Sequence, residues 1–122
     1  FVMYMQQSLQ HAAISETWKK LSFIERMANI GSEVERTLNW QVKNNPKLSQ
    51  KAFFRALELF DLTLMLLAQE KTYTLSRLTE VARAKELFAD HVYGDNQYSC
   101  TRESWQKYFK PFNYLARLIK VE

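Results

Sequence analysis

The chain is poor in the residues that break helices or cross-link folds. Its 122 residues include two glycines, two prolines and one cysteine. So few glycines and prolines exclude a turn-rich all-β protein, and they exclude the glycine-rich loops that bind phosphates in nucleotide-dependent enzymes. One cysteine can form neither an internal disulfide bond nor a zinc cage. Nothing therefore indicates an oxidising compartment, and we predict a cytoplasmic protein.

Long apolar runs are also lacking. The longest, Leu62–Ala68, is interrupted by Thr63 and is much shorter than the roughly 20 residues that cross a bilayer. The first five residues are apolar, but no basic residue precedes them as in a secretory signal. Because the chain starts with Phe1 rather than Met, we expect residues 1–13 to be peripheral to the fold or foreign to the natural sequence.

Helix-forming residues, in contrast, are plentiful and occur in amphipathic order. Over residues 23–42 apolar side chains recur every three or four positions, after a capping box formed by Ser22 and Glu25. This pattern predicts a first helix that ends near Lys43. Gly31 lies close to the apolar side of this helix, where we expect a neighbouring helix to approach closely.

The second predicted helix follows the break Asn44–Pro46, with Ser49 as its expected cap. It is apolar over much of its circumference, so we expect it to be central in a bundle or to use a second face in a contact between subunits. Charged side chains interrupt it. Since buried charges are costly unless paired, we expect Glu58 or Asp61 to meet an arginine of a neighbouring helix.

Two further amphipathic segments complete the chain. Ser76 is the expected cap of the third helix, which ends at Gly94, where we expect a positive φ. Thr101 is the expected cap of the fourth helix, in which Pro111 should cause a kink or follow a break. Four such segments predict an all-α, up-down-up-down four-helix bundle that forms one domain over residues 1–122, with room for an extra N-terminal helix.

No pattern of catalytic or metal-binding residues stands out. His11 and His91 are far apart and fit no metal-binding motif, and Cys100 has no lysine or histidine beside it to activate its thiol. We therefore predict no catalytic residue, no metal and no cofactor. One enzymatic alternative is a ribonuclease resembling the HEPN family, helical bundles with an Arg and a His on one helix. The nearest pair, Arg83 and His91, is spaced more widely than that motif.

Basic residues form two clusters in a chain of net charge +4, which makes RNA or DNA a candidate partner. The predicted nucleic-acid-binding residues are Lys43, Lys47, Lys51 and Arg55 around the first turn, and Arg102, Lys107, Lys110 and Arg117 in the fourth helix, followed by Lys120. The aromatic residues expected to stack on exposed bases are Tyr73, Tyr98 and Tyr108. No helix-turn-helix, RRM or zinc-finger pattern accompanies them.

Three segments resemble parts of small bacterial proteins without an assigned function: Ile30–Trp40 (IGSEVERTLNW), Phe53–Leu64 (FFRALELFDLTL) and Tyr93–Tyr98 (YGDNQY). In size, charge and predicted architecture the chain is also similar to the four-helix proteins encoded in 23S ribosomal RNA intervening sequences. It is similar in the same way to the accessory variability proteins of diversity-generating retroelements. The resemblance implies a small basic bundle that assembles into a ring, such as a pentameric barrel, and binds RNA or a reverse transcriptase.

These observations lead to one functional prediction with two alternatives. We predict a non-enzymatic homo-oligomer that associates through apolar surface on the second or fourth helix and presents a basic face to RNA, DNA or a nucleic-acid enzyme, with no membrane partner. The alternatives are the HEPN-like ribonuclease and a module that binds only a protein partner.

Overall fold

The structure is a computed structural model that describes residues 16–70 and 74–121, with the backbone alone for residues 120 and 121. Four long helices follow one another in these ranges: α1 (Phe23–Val42), α2 (Pro46–Gln69), α3 (Leu75–Tyr93) and α4 (Arg102–Val121). A helical turn at residues 16–19 precedes α1. The predicted all-α bundle is thus confirmed. The expectations for residues 1–13, an extra N-terminal helix, His11, Tyr73 and the side chain of Lys120 lie outside the described part.

Each helix runs antiparallel to the next one in the chain. Contacts between the end of one helix and the start of its neighbour show this: Thr37 with Ser49, Tyr93 with Phe53, and His91 with Trp105. Helix α4 also packs back against α1, since the ring of Phe112 meets that of Phe23. The four helices therefore surround one core in up-down-up-down order, with α1 between α2 and α4.

The core is formed by apolar side chains from all four helices and from Trp18. Its most completely buried large residues are Met27, Ile30, Val34, Phe60, Leu62, Leu67, Val81 and Phe88. Complete burial of a side chain of this size contributes about 1.5–3 kcal/mol. Helix α2 supplies the largest share of the buried residues, which fits the expectation that it is central.

Some residues of the apolar pattern lie outside this core. Val42 is 67% exposed and Ile119 is 40% exposed, although the periodicity extends the buried stripes of their helices to both positions. Phe54, one of the residues that make α2 apolar over much of its circumference, is 56% exposed. The first two lie in the last turns of their helices, while Phe54 lies on the outer face of α2.

Gly31 allows α1 and α4 to approach each other closely, as predicted. A Cβ atom at this position would lie 2.8 Å from Cγ of Phe109, which is closer than real side chains come. The Phe109 ring itself is buried in the core. The aromatic ring of Phe109 therefore occupies the space that a side chain at position 31 would need.

The helix starts confirm two of the four predicted caps. Ser22 and Glu25 form the predicted capping box of α1. Thr101 accepts a hydrogen bond from the Ser104 amide at 3.0 Å at the start of α4. Each polar side chain thereby satisfies an amide that has no partner within its helix.

The predicted caps of α2 and α3 are wrong. Helix α2 begins with Pro46, and its cap is Asn45. Ser49 is buried instead and donates its hydroxyl to the Thr37 carbonyl at 3.0 Å. Helix α3 is capped by Thr74 rather than Ser76. In both cases a suitable polar residue lies slightly earlier in the chain, and proline is well suited to the first helical position.

The connection between α3 and α4 is a self-contained corner. Gly94 has φ −100°, so the expected positive φ is wrong. The left-handed conformation occurs at Asn96 and Ser99 instead. The Asn96 side chain bonds both backbone polar groups of Cys100, and Asp90 accepts from the Gln97 amide. These bonds provide partners for the backbone polar groups of the loop, so its conformation needs no ligand.

Pro111 lies inside α4, and the helix continues through it to Val121. The alternative of a break before Pro111 is therefore wrong. Proline has no amide hydrogen, so the carbonyl one turn earlier, at Lys107, lacks its usual helical donor.

Candidate nucleic-acid interface

The fold brings the two basic clusters to opposite edges of one surface. Because α1 lies between α2 and α4, its outer face is bordered by α2 on one side and by α4 on the other. A shallow cleft between α1 and α2 is lined by Trp40, Lys51 and Phe54. At Arg36 and Arg55 it continues into a larger cleft that crosses α1 and reaches α4.

We call this continuous surface the α1 groove. Its basic and aromatic lining side chains include Arg36, Trp40, Lys51, Phe54, Arg55 and Arg117. At Arg117 the groove meets a third cleft, which lies between α1 and α4 and is lined by Lys107, Lys110 and Tyr114. Members of both predicted clusters therefore border connected depressions, although they are more than fifty positions apart in the chain.

Several basic side chains of these clusters are exposed and have no acidic partner. No described carboxylate oxygen lies within ion-pair distance of any of the following: Lys47, Lys51, Lys107, Lys110 and Arg117. Lys43 is also exposed and lies over the Trp40 ring, 5.2 Å from its centroid. Unpaired, solvated cations of this kind attract phosphates and release counterions when they bind them.

Two of the predicted binding residues have acidic partners within the protein. Arg102 of α4 donates to Glu35 of α1, with an Nη2–Oε1 distance of 2.5 Å, and this pair ties the two helices together. Arg55 lies 3.6 Å from Glu58 on its own helix. Arg102 therefore has a structural partner, while the looser contact leaves Arg55 more accessible to a ligand.

Aromatic residues line the same groove, but they are not the predicted ones. Trp40 is half-buried in the cleft, and the exposed ring of Phe54 rests on Phe53 with the ring centroids 5.7 Å apart. Each lies within a turn of a cluster lysine, Trp40 before Lys43 and Phe54 after Lys51. This spacing is a usable sequence signal, although only the fold shows that the two rings share a cleft.

The described tyrosines of the prediction are engaged elsewhere. Tyr108 is half-buried and donates its hydroxyl to Glu80 at 2.9 Å. Burial and this acidic partner raise the pKa of Tyr108 well above its usual value. The ring of Tyr98 is exposed and lies under the guanidinium of Arg83, 5.5 Å away. Neither tyrosine lines the α1 groove.

Arg83 and His91, the pair that the ribonuclease alternative requires, have separate partners. Arg83 lies on Tyr98, whereas Nδ1 of His91 accepts a hydrogen bond from the indole nitrogen of Trp105 at 2.8 Å. Partial burial lowers the pKa of His91 below its usual 6.5, an effect that the adjacent Asp90 carboxylate partly offsets. The histidine thus has a structural role on the core side of α3.

The ion pairs between helices differ from those expected. Asp61 of α2 binds Lys85 of α3 at 2.5 Å, so its partner is a lysine rather than an arginine. Glu58 meets Arg55 of its own helix. The buried arginine of the fold is Arg26, only 3% exposed, which binds Glu70 at 2.7 Å and whose Nε donates to the Trp18 carbonyl. Arg26 lies next to the apolar stripe of α1 rather than in it, so the pattern of apolar residues does not mark it as buried.

Other kinds of site find little support in the described residues. Among them, no three His, Cys, Asp or Glu side chains are close enough to share a metal ion. Burial and the nearby Asp90 raise the pKa of the Cys100 thiol, which disfavours the reactive thiolate. None of the helices in the described part is both long and apolar enough to span a bilayer.

Comparisons with family models, with curated proteins and with solved structures found no match to this chain. The resemblance to four-helix proteins of ribosomal RNA intervening sequences and of retroelements therefore stays a prediction. The case for a function rests on the geometry of the α1 groove.

Proposed function

We propose that the protein is a non-enzymatic, oligomeric bundle that binds single-stranded RNA or DNA across the α1 groove. The observation that carries the proposal is the placement of Trp40 and Phe54 in one cleft beside exposed cations at Lys43 and Lys51. Proteins that bind single strands combine aromatic rings, on which bases stack, with a basic track for the phosphates. The α1 groove offers both.

The same arrangement favours a single strand over a duplex. In a duplex the faces of the bases are stacked on each other and cannot reach Trp40 or Phe54, whereas an open strand can place a base on either ring. From that cleft the cations continue across α1 by way of Arg36 and Arg55 to Arg117. A strand that follows them would contact both basic clusters.

The finer parts of the proposal are its location and its oligomeric state. Cys100 is a lone, half-buried thiol, which is compatible with the reducing cytoplasm in which we propose the protein acts. We also propose that copies associate through exposed apolar residues in the second half of α4. They are Tyr114, Leu115, Leu118 and Ile119.

The aliphatic members of this stripe point away from Arg117. At 100° per residue, Arg117 points roughly 100–160° away around the helix from the three aliphatic members of the stripe. Association through the stripe would therefore bury apolar surface and leave Arg117 facing the groove. An assembly of this kind presents several copies of the binding surface to one strand, which raises the apparent affinity.

Binding can be measured by fluorescence anisotropy of labelled single-stranded oligonucleotides over a range of salt concentrations. The test variant is Lys51→Glu combined with Arg117→Glu, which reverses one charge at each end of the groove. We expect binding that weakens with rising salt, a lower affinity of the variant by at least about tenfold, and a shallower dependence of log K on log salt. Tryptophan fluorescence should be quenched on binding, through the half-buried Trp40, since Trp18 and Trp105 are buried in the core.

The matched control is Arg77→Glu combined with Arg83→Glu. It makes the same change in net charge on α3, across the bundle from the outer face of α1. Because the Arg77 guanidinium lies over the ring of Phe23, 4.2 Å from its centroid, circular dichroism must verify that this variant is folded. We expect its affinity to stay within about twofold of the native value, because screening confines surface charge effects to about 10 Å at 0.1 M salt. An equal loss of affinity in both variants, or an affinity that does not change with salt concentration, would contradict specific binding in the α1 groove. If the native protein cleaves the RNA and Arg83→Glu abolishes this cleavage, the ribonuclease alternative would be favoured.

A further inference from the structure

One carboxylate oxygen in the α1 groove lacks a hydrogen-bond donor. Oε1 of Glu58 is buried without a partner, and the nearby Nη1 of Arg55 lies 3.6 Å from it, beyond hydrogen-bond distance. No other buried side-chain oxygen or nitrogen in the described ranges is left unpaired. A buried acceptor without a hydrogen-bond donor has lost its hydrogen bonds to water without replacing them. The Glu58 side chain as a whole is 29% exposed in the cleft, so a rotation of its carboxylate would bring this oxygen to a ligand that supplies a donor.

Another carboxylate of the groove, that of Glu33, does have a basic partner. Glu33 lines the same cleft and binds Arg36 at 2.8 Å. Glu58 lies in that cleft as well, with Trp40, Phe54 and Lys51, but without a hydrogen-bond donor for its Oε1. On a surface that binds phosphates, a negative charge weakens the attraction of nearby phosphates. It is useful there only if it recognises a particular donor.

The chemistry of a carboxylate limits which base it can recognise. An ionised carboxylate accepts hydrogen bonds and donates none. The Watson–Crick edge of guanine offers two adjacent donors, the ring N–H and the exocyclic amino group, which match the two carboxylate oxygens. Adenine and cytosine place a ring acceptor beside their amino group, and uracil places its N–H between two carbonyl oxygens. Each of these edges would set an acceptor against the carboxylate.

We infer that the cleft between α1 and α2 binds an unpaired guanine base, with the Glu58 carboxylate accepting from its two Watson–Crick donors and the Trp40 and Phe54 rings contacting its face. This inference rests on the proposed single-strand binding and adds base selectivity to it. Lys51 would then contact the adjacent phosphate. Recognition of splayed bases by stacking and by their Watson–Crick edges is the usual way in which proteins read single strands.

The test uses short oligouridines that carry one central guanosine, adenosine, cytidine or inosine, with binding followed by anisotropy. We expect the guanosine strand to bind about tenfold more tightly than the adenosine and cytidine strands, as one good bidentate contact provides. Inosine lacks the exocyclic amino group and should retain only part of that advantage. Glu58→Gln should bring all four strands within about twofold of one another, because a neutral amide cannot accept two hydrogen bonds through two oxygens.

Glu33→Gln is the control, because it removes the same charge from the same cleft but from a carboxylate that already has a partner. It should leave the guanosine preference unchanged. Salt-dependent binding without base preference, or a preference that survives in Glu58→Gln, would overturn the inference and leave the proposed function intact. Failure of every strand to bind would overturn both. Circular dichroism and the midpoint of urea unfolding verify that each variant is folded.

Discussion

At the scale of single residues, the contact between His91 and Trp105 joins the end of α3 to the start of α4. The indole nitrogen donates to Nδ1 of His91, so the bond requires that this nitrogen carry no proton. The two ring planes are within 6° of parallel, and Trp105 also packs edge-on against Phe88 in the core. A proton on Nδ1 would therefore disturb a contact in which core packing holds one partner.

This contact predicts a loss of stability in mild acid. Burial lowers the pKa of His91 in the folded state below its usual 6.5, so near and below that pH the unfolded chain binds more protons than the folded one. Stability from this group is complete above pH 6.5 and is lost as the pH falls through the folded value. Urea unfolding at pH 7.5 and 5.5 should show a larger decrease for the native protein than for His91→Gln. A decrease of the same size in both would contradict this account.

Residue-scale contacts are also what the sequence conveyed least well. The left-handed conformations at Asn96 and Ser99, rather than at Gly94, follow from hydrogen bonds within the corner and not from the presence of a glycine. Likewise, the unpaired oxygen of Glu58 depends on where its own helix places Arg55. Such features depend on distances of a few ångströms, which a pattern of residue types does not contain.

At the scale of helices, the sequence was a better guide. Periodicity located all four helices, because a stripe every three or four residues is a property of the helix itself. The starts of α2 and α3 were placed too late, since Asn45 and Thr74 compete with Ser49 and Ser76 for the same role. The clustering of Trp40 with Phe54 could not be predicted, because it depends on how α1 and α2 pack.

Helix α4 contains a proline in its interior. Pro111 is exposed and continuous with helix on both sides. Replacement by alanine restores an amide donor for the Lys107 carbonyl and removes the steric conflict of the ring. We expect Pro111→Ala to raise the free energy of unfolding by about 1–3 kcal/mol, measured by urea denaturation.

The control for this prediction is Lys110→Ala, which changes the neighbouring exposed position without adding a backbone donor. Lysine and alanine have similar helix propensities, so its effect should stay within about 0.5 kcal/mol. A Pro111→Ala protein no more stable than this control would show that α4 accommodates the proline without cost.

At the scale of the whole molecule, the proposed assembly predicts a definite mass. Light scattering coupled to size exclusion should give a multiple of the 14.5 kDa chain mass. Leu118→Glu places a charge in the apolar stripe of α4 and should shift the protein to the mass of one chain. Met65→Glu, at a partly exposed position on α2, is the control and should leave the mass unchanged. A native protein that elutes as a single chain would rule out self-association through this stripe.

The close fit of Phe109 into the space beside Gly31 has a consequence for the groove. A bulky ring seated in a gap one residue wide resists sliding of α4 along α1, because a shift of even half a turn would drive the ring into the side chains on either side of the gap. The spacing between Arg36 on α1 and Arg117 on α4 is thus set before any ligand arrives. A strand would therefore meet cations at a fixed spacing. Little of its binding free energy would be needed to arrange the protein.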